Sequence, residues 1–553
     1  MVQQALLSSR KVRVPPPRVV LEKGRIELPV SHVNEDIVSD LLVIGSGAAG
    51  CACGLRAAEA GLRVIMLSAA VDPLESNSDH AQGGIVARPP GDAPEELAAD
   101  IVAAGDGLCN PEAVSLLAES IPEVVDRFLV ERLKVQFTRD AKGDLDFTQE
   151  AAHSRRRIAH ADDATGHAII TRMMEAVLAE PRIQVMTRHT AVDLITVPHH
   201  SLNPLTIYQP IECFGAYALD QRTGRVKRYF APHTVLATGG LGQLYLHTTN
   251  PRVARGDGLA MAHRAGAQII NAEYVQFHPT SFYHRDADRF LISESVRGEG
   301  AVLQRRDRTE FMSEYHPDGS LAPRDVVARA IHEEMLRHGA EYVLLDLSGL
   351  SVDPKVRFPT IYEKLMEYGV DITEQPIPVV PAAHYFCGGV NVDLWGRTNI
   401  RRLYAVGEVG CTGLHGANRL ASTSLPEAIL WGQRAAQDAV EKHDALKPGL
   451  AEHIAVWHDE GLTEEIDPLL IIQDWMMIKS TMWNYAGIVR NAKRLQRAVA
   501  DLNYLAHRTE QFYRETKLAD SPVGLRNGIA AAQIIAEAAQ RNPTSRGCHY
   551  RQD

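Results

Sequence analysis

The sequence contains little cysteine, and its cysteines are scattered. Seven occur among 553 residues, and the one close pair, Cys51 and Cys53, lies inside a predicted helix. No group of cysteine and histidine has the spacing of a zinc or iron–sulfur site. We therefore expect neither a metal centre nor a disulfide framework, and we expect a reducing compartment, the cytoplasm.

Long apolar runs and an excess of positive charge are also missing. No stretch approaches the roughly 18 uninterrupted apolar residues that a transmembrane helix needs. Acidic residues outnumber basic ones, 69 against 58, which gives a net charge of −11 at pH 7. These absences argue against a membrane-spanning protein and against binding to nucleic acid or to an anionic membrane.

The N-terminal segment lacks the long apolar core of a secretory signal peptide. Residues 1–21 contain four basic residues, three consecutive prolines and no acid. We interpret residues 1–36 as an N-terminal arm. An organelle transit peptide is the alternative.

The rest of the chain has the composition of a globular protein, and its length predicts two or three domains. After the arm, residues 40–44 are a predicted buried strand, and residues 45–50 read Gly-Ser-Gly-Ala-Ala-Gly before a helix of small residues. Residues 63–67 form the next predicted strand. Such a unit, roughly 30 residues long, binds a dinucleotide pyrophosphate at the helix N-terminus. Glycine-rich turns of this kind also serve packing alone.

One part of the dinucleotide pattern is absent. An acid about 20 residues after the turn would bind a ribose hydroxyl, but the second strand ends in Leu67-Ser68-Ala69-Ala70. Ser68 or a backbone group must take that role.

A second strand-to-glycine element lies far downstream, in the segment LYAVGEVGCTGLHGANRLASTSL at residues 403–425. Two such elements predict one nucleotide cofactor that is held at both ends. An arginine in the second element, Arg419, suggests an anionic substrate at the reactive end of the cofactor.

The segment between the two strand-to-glycine elements predicts an inserted second domain, and the segment after the second element predicts helices. Further strands are predicted at 185–192 and 234–238, and residues 256–258 open a helix. Residues after about 271 are richer in histidine, arginine and aromatic residues. The predicted C-terminal helices, from three-to-four spacing of apolar residues, are 475–483, 488–502, 504–517 and 525–539.

Six motifs identify a known family by their order. They are Gly45-Ser46-Gly47-Ala48-Ala49-Gly50, Ala81-Gln82-Gly83-Gly84, Gln276-Phe277-His278-Pro279-Thr280, Ala322-Pro323-Arg324-Asp325, Ala383-His384-Tyr385 and His415-Gly416-Ala417-Asn418-Arg419. With them the chain resembles the succinate dehydrogenase/fumarate reductase flavoprotein family over about residues 37–548.

The resemblance implies an α/β fold: a Rossmann-type FAD-binding domain with an inserted α+β capping domain and a C-terminal helical bundle. The boundaries we expect are 1–36 for the arm, 37–271 and 386–445 for the FAD-binding domain, 272–385 for the capping domain and 446–553 for the helical domain.

The resemblance also implies which residues hold FAD. They are Gly45, Ser46, Gly47, Ala48, Ala49, Gly50, Ser68, Asn77, Ser78, Ala81, Gln82, Gly83, Gly84, Ala191, Asp257, Glu408, Ser424 and Leu425. Glu408 would accept from ribityl or ribose hydroxyls. Ser424 and the Leu425 amide would open a helix whose positive end stabilises negative charge on the reduced flavin. Ser424 as a simple N-cap is the alternative.

Covalent attachment of FAD in this family uses a histidine four residues before the Ala-Gln-Gly-Gly motif. Asn77 stands at that position, and asparagine cannot form the link. We therefore expect non-covalent FAD, with His80 as an alternative attachment point.

The implied substrate is a small dicarboxylate, held by His278, Arg324, His384 and Arg419, because a desolvated carboxylate needs fixed partners. Taken singly, either histidine could be an ordinary core residue. Arg324 could equally pair with Asp325 at a helix start, and Arg419 could be a structural arginine packed on Asn418.

Glu150 favours one branch of the family, the members that oxidise L-aspartate. Aspartate is succinate plus an ammonium group, and a buried ammonium requires a carboxylate partner. Two alanines, Ala151 and Ala152, stand where these relatives usually have glycines, which restricts the backbone. An exposed loop acid is the alternative interpretation of Glu150.

The expected reaction transfers a hydride from the α-carbon of L-aspartate to FAD, releases a proton from the amino group and yields iminoaspartate. Arg324, Glu294 and Arg297 resemble the family's proton relay. The resemblance implies oxygen or fumarate as electron acceptor and a product used in quinolinate and NAD biosynthesis, with quinolinate synthase as an expected partner. The alternatives are a soluble fumarate reductase or succinate dehydrogenase flavoprotein, and a flavoprotein that has lost its chemistry.

Overall fold

The computed structural model describes residues 36–150, 152–285 and 290–553. The predicted N-terminal arm therefore lies outside the described residues, except for Asp36. The Asp36 carboxylate accepts hydrogen bonds of 2.8 and 2.7 Å from the guanidinium of Arg228.

A parallel five-stranded sheet forms the centre of the molecule. Its strands, in spatial order, are Leu403–Ala405, His233–Leu236, Leu41–Ile44, Val64–Leu67 and Ile183–Met186. Alternate side chains point to opposite faces, so Leu41 and Val43 join one hydrophobic cluster while Leu42 and Ile44 join another. Both faces are covered, which explains the uninterrupted apolar sequence of the strands.

The helices Ala48–Glu59, Thr165–Ala179 and Ser424–Glu441 belong to the cluster on the first face. The first and third approach closely because small residues meet between them. A Cβ at Gly432 would lie 2.4 Å from the carbonyl oxygen of Ala49. This packing fixes the N-termini of two helices at the same edge of the sheet.

The predicted strand 185–192 is wrong in extent. The chain forms two strands, Ile183–Met186 and His189–Val197, in different sheets. Arg188 between them has a left-handed φ of +58°, and this turn moves the chain from one sheet to the other.

An antiparallel sheet lies within the predicted insertion. Its strands, in spatial order, are Val275–Phe282, Ile377–Phe386, Val343–Asp346 and Val302–Gln304. Helices Arg324–His338 and Pro359–Met366 pack on it around a hydrophobic cluster of its own. We propose this unit as the capping domain.

The remaining sheets are small or lie beside the central one. Their strands, sheet by sheet, are Ile37–Val38, Arg225–Phe230, Glu212–Asp220 and His189–Val197; Ile269–Ile270, Gly389–Asn391 and Gly410–Cys411; and Ile85–Val86, Ile158–Ala159 and Phe147–Thr148. Other helices are Pro94–Ala104, Pro111–Pro122, the π-helix Glu123–Arg132, Asp257–Ala265, Glu294–Gly298 and Pro354–Arg357.

Three long helices end the chain: Pro468–Tyr485, Ala492–Glu515 and Asp520–Arg541. The second replaces two predicted helices, because its 24 residues contain neither glycine nor proline and the polar Asn503 does not interrupt it. Asn491 caps it by accepting from the Arg494 amide at 2.9 Å. Among the described residues, none of the helices has both the length and the apolar character that crossing a membrane requires.

Candidate active site

The first glycine turn brings a strand end and a helix start together. Gly45 has a φ of +117°, and a Cβ there would lie 2.1 Å from the carbonyl oxygen of Ala237. A Cβ at Gly50 would lie 2.1 Å from the carbonyl oxygen of Gly45. Gly47 begins the helix without a side-chain cap. The Ala48 amide donates to Ser78 Oγ at 3.1 Å, and the start of the helix lies beside a cavity, an arrangement that suits a pyrophosphate.

One long cavity runs from this turn to a cluster of histidines and arginines. Every predicted site residue lines it except Gly50 and Arg297, which lie behind its wall. At its far end stand His278, Arg324, His384 and Arg419, which we call the cationic cage. The fold thus brings together predicted residues that are up to 380 positions apart in the sequence, the separation of Gly45 and Leu425.

The wall of the cavity contains buried polar atoms that suit FAD. Asn77 Oδ1, Gln82 Oε1 and Thr238 Oγ1 have no hydrogen-bond partner within the described part of the chain. Buried polar atoms normally have hydrogen-bond partners, so a polar ligand along this wall would supply the missing hydrogen bonds. Ser68 stands at the end of the second strand and lines the same wall. Its Oγ accepts a hydrogen bond of 3.2 Å from Ser46 Oγ.

Two predicted FAD-binding acids are already hydrogen-bonded to protein. Glu408 Oε1 accepts from the Phe386 amide at 2.9 Å, and its Oε2 accepts from Asn77 Nδ2 at 2.6 Å. Burial raises the pKa of Glu408 to about 7, against these hydrogen bonds. Asp257 accepts from Arg255 and from Asn527. Glu408 keeps lone pairs for a hydroxyl, whereas Asp257 mainly secures the helix that it begins.

Ser424 is not the N-cap that the alternative interpretation required. Thr423 occupies that position, and Ser424 is the first helical residue. Its hydroxyl accepts a hydrogen bond from Arg419 Nη1 at 3.4 Å. The helix start thus contacts the cationic cage.

The two histidines of the cage lie side by side, with ring centroids 5.3 Å apart. His278 Nδ1 is 3.1 Å from the Thr280 carbonyl oxygen, and His384 Nδ1 is 2.9 Å from Thr249 Oγ1. Burial and the nearby arginines hold the pKa of both imidazoles well below the ordinary value. Both rings are therefore neutral near pH 7 and serve as hydrogen-bonding groups, not as cations.

Arg419 carries one positive charge of the cage and is held from several sides. Its guanidinium lies 4.6 Å from the centroid of the Tyr385 ring. Gln276 Nε2 donates to the Arg419 carbonyl oxygen at 2.8 Å and to Asn418 Oδ1 at 2.6 Å. Burial and the charge of Arg324 lower the pKa of Arg419. An anion between the two arginines would relieve their repulsion.

Arg324 is the first residue of its helix and points its guanidinium at the carboxylate of Glu294. Glu294 is 4% exposed and also accepts from Arg297 Nη2 at 3.1 Å. Burial opposes its ionisation, but Arg324 and Arg297 outweigh burial and hold the pKa of Glu294 below its ordinary value. The three predicted relay residues are therefore joined in one continuous chain of ion pairs.

Guanidinium groups of the cage keep unused donors. Arg324 Nη1 and Arg419 Nε are buried, and within the described residues neither has a hydrogen-bond partner. An unsatisfied buried donor is costly, so a carboxylate ligand fits the cage.

Glu150 is buried, 6% exposed, so its interpretation as an exposed loop acid is wrong. Its Oε2 accepts a hydrogen bond of 2.6 Å from Ser422 Oγ. Burial raises the pKa of Glu150, partly offset by Arg324 and the Ser422 hydroxyl. Ala152 has a φ of +64°, a conformation that favours glycine; Ala151 lies outside the described residues.

Several residues of the site were not predicted. Ser422 and Thr249 line the cavity, and Gln276 and Tyr385 support Arg419. Gln276 and Tyr385 stand inside two of the six family motifs, but no pattern in the sequence indicates their contacts with Arg419. Within the described residues, no group of three or more histidine, cysteine, aspartate or glutamate side chains could hold a metal ion.

Comparison with known proteins agrees with this geometry. A profile described as "FAD binding domain" matches residues 40–425, and one described as "Fumarate reductase flavoprotein C-term" matches residues 476–553. L-aspartate oxidase 1 of Ralstonia nicotianae is 44% identical over 518 residues, which cover 93% of this chain and 95% of that protein.

The chain belongs to the L-aspartate oxidase family.

Other members of this family also match over most of their length. L-aspartate oxidase of Pseudomonas aeruginosa is 42% identical, with 93% of this chain and 95% of that protein covered. The chloroplastic L-aspartate oxidase of Oryza sativa subsp. japonica is 38% identical, with 93% and 81% covered. FAD is the cofactor that the family predicts, as the sequence motifs indicated.

Solved structures confirm the predicted fold class. A variant of E. coli quinol fumarate reductase FrdA superimposes with a TM-score of 0.82 at 27% identity, covering 94% of this chain and 92% of that one. The apo form of Mycobacterium smegmatis Sdh1 gives 0.77 at 28% identity, covering 94% and 89%. The L-aspartate oxidase family thus shares its FAD-binding fold with these flavoproteins.

Proposed function

We propose that this chain catalyses the FAD-dependent oxidation of L-aspartate to iminoaspartate. The observation that carries the proposal is the single cavity that joins the glycine turn to the cationic cage and to Glu150. A dinucleotide site alone fits many enzymes. A dicarboxylate cage with one additional buried acid fits an amino dicarboxylate.

Each charged group of L-aspartate has a counterpart in the site. Arg324 and Arg419 would bind the two carboxylates through donors that have no partner within the described residues. The neutral His278 and His384 would add hydrogen bonds. Glu150 would pair with the ammonium group, which orients the α-carbon.

FAD, when bound, supplies the hydride acceptor for the α-carbon. We propose that it is bound without a covalent link, because Asn77 donates its amide to Glu408 and has no nucleophilic atom. The alternative attachment point, His80, also lines the cavity, and its Nδ1 lies 3.3 Å from the Thr249 carbonyl oxygen.

The relay residues would hold a proton near the substrate. Arginine side chains are cationic at neutral pH, and the Glu294 carboxylate connects Arg324 to Arg297. When fumarate is the electron acceptor and is reduced to succinate, this chain of groups would deliver a proton to the fumarate carbon.

Oxygen or fumarate would reoxidise the enzyme, and the product would pass to quinolinate synthase for NAD biosynthesis. We place the protein in the cytoplasm; all seven cysteines are free thiols, as a reducing compartment favours.

Anaerobic mixing of the purified yellow holoenzyme with substrates tests the function. We expect L-aspartate to bleach the flavin absorbance and aerobic turnover to yield hydrogen peroxide. Glu150→Gln should lose reduction by L-aspartate, while its reduced form should still transfer electrons to fumarate. Bleaching by succinate but not by L-aspartate would instead favour a fumarate reductase or succinate dehydrogenase. Bleaching by neither would favour a protein without this chemistry.

A further inference from the structure

Ser422 lies in the loop that connects the cage to the helix Ser424–Glu441, three residues after Arg419. Its hydroxyl donates a hydrogen bond of 2.6 Å to Glu150 Oε2. A hydrogen bond to a carboxylate is among the stronger ones in proteins. It links two segments that are 272 positions apart in the sequence.

The backbone of Ser422 is fixed as well as its side chain. Its φ is +59°, and its carbonyl oxygen accepts from the Val86 amide at 3.0 Å. The segment of Glu150 is tied to the same loop a second time, because His153 Nε2 lies 3.1 Å from the Ala421 carbonyl oxygen. The Ser422 hydroxyl is thus presented to Glu150 from a loop that two hydrogen bonds attach to neighbouring segments.

The other oxygen of Glu150 is left available. A Cβ at Gly83 would lie 2.4 Å from Glu150 Oε1, so this oxygen packs directly on the glycine. Within the described residues, Oε1 receives no hydrogen bond, and the cavity passes both Glu150 and Ser422. The carboxylate therefore has one oxygen bound to Ser422 and one free acceptor.

We propose that Ser422 is a positioning residue that orients the Glu150 carboxylate toward the substrate ammonium and so sets the preference for amino dicarboxylates over plain dicarboxylates. The inference rests on the proposed function of the same site. Ser422 acts through Glu150 and has no role in holding the substrate carboxylates, which belong to the cationic cage.

The charged groups around Glu150 support a pH signature. Burial opposes the ionisation of Glu150 and raises its pKa; Arg324, the Ser422 hydroxyl and Arg419 favour the ionised form, and Glu294 opposes it. Glu150 must be ionised to pair with an ammonium. Removing the hydroxyl raises the pKa of Glu150, so the acid limb of kcat/KM for L-aspartate should move to higher pH.

The test compares the holoenzyme with Ser422→Ala and Ser422→Gly. Both variants remove the hydroxyl, but only glycine also relaxes the positive φ. We expect both to lower kcat/KM for L-aspartate by about tenfold or more, mainly through KM, which is the range for a hydrogen bond to a charged group. Reduction of fumarate in the same preparations should fall much less and reports that the variants are folded.

Glu150→Gln is the single variant to which Ser422→Ala is added in a double-mutant comparison. Adding Ser422→Ala to it should cause no further loss with L-aspartate, because the group through which the serine acts is already neutral. Wild-type kinetics in Ser422→Ala, equal losses with aspartate and fumarate, or an unchanged pH profile would overturn the inference and leave the proposed function standing. Failure of the wild-type holoenzyme to oxidise L-aspartate would overturn both.

Discussion

Replacement of Gln276 by leucine should loosen the arginine that binds a substrate carboxylate. Gln276 is 1% exposed, and its amide nitrogen donates to the Arg419 carbonyl oxygen at 2.8 Å and to Asn418 Oδ1 at 2.6 Å. Leucine has a similar volume and no donor. The Arg419 carbonyl oxygen then loses its side-chain donor, while Asn418 Oδ1 still accepts from Cys548 Sγ at 3.1 Å.

The magnitude follows from these two contacts. Each hydrogen bond contributes about 0.5–1.5 kcal/mol, and a buried acceptor without a donor costs about 1–3 kcal/mol. Leucine also removes Gln276 Oε1, a buried acceptor that has no partner within the described residues, and this offsets part of the loss. We expect the variant to lose about 2–4 kcal/mol, shared between unfolding and the placement of Arg419. If about half affects binding, KM rises about tenfold. Because Arg419 would bind a carboxylate that both substrates have, KM should rise for L-aspartate and for fumarate alike.

Steady-state kinetics with both substrates measure the effect on binding. Denaturant unfolding of the holoenzyme measures the effect on stability. Gln533→Leu is the matched control, since Gln533 donates to Asn503 at 2.7 Å between two C-terminal helices, away from the cavity. Its kinetics should stay at the wild-type level. A change of KM for L-aspartate alone, or unchanged KM for both substrates in Gln276→Leu, would refute the reasoning.

Three further predictions concern strain and buried charge. Ala152→Gly should stabilise the protein by up to about 1 kcal/mol by relieving a left-handed backbone; a lower denaturant midpoint would contradict this. Glu294→Gln should cost about 3–5 kcal/mol, because Arg297 and Arg324 lose their shared partner, whereas the partly exposed Glu299→Gln should cost little. Since the pKa of Glu294 is depressed, its contribution is complete above its ordinary pKa and is lost as the pH falls through the folded value. The free energies of unfolding of the wild type and of Glu294→Gln should therefore converge as the pH falls through the acid range.

Local features were predictable because the residues that determine them are neighbours in the sequence. The turn at residues 45–50 needs glycine for a positive φ and for close backbone contact, and both requirements act within a few positions. The apolar strands of the central sheet were likewise evident. Arg188, whose positive φ divides a predicted strand, shows the limit, because nothing in its neighbours indicates that turn.

Contacts across the fold were not predictable from the same evidence. The hydrogen bond from Ser422 to Glu150 joins positions 272 residues apart. The neutral state of His278 and His384 depends on burial and on arginines from other elements. Resemblance placed the charged residues in one site, whereas their protonation and their supporting contacts required the folded chain.

The neutrality of both imidazoles has a consequence for the net charge that the site accepts. Around the reacting end, the cations are the guanidinium groups of Arg297, Arg324 and Arg419, and the acids near them are Glu150, Glu294 and Glu408. Neutral imidazoles add no positive charge to this set. L-aspartate at neutral pH is a monoanion, whereas succinate is a dianion and would bring one more negative charge beside Glu150 in a dry environment. Discrimination between the two ligands therefore begins with total charge, before any individual contact is formed.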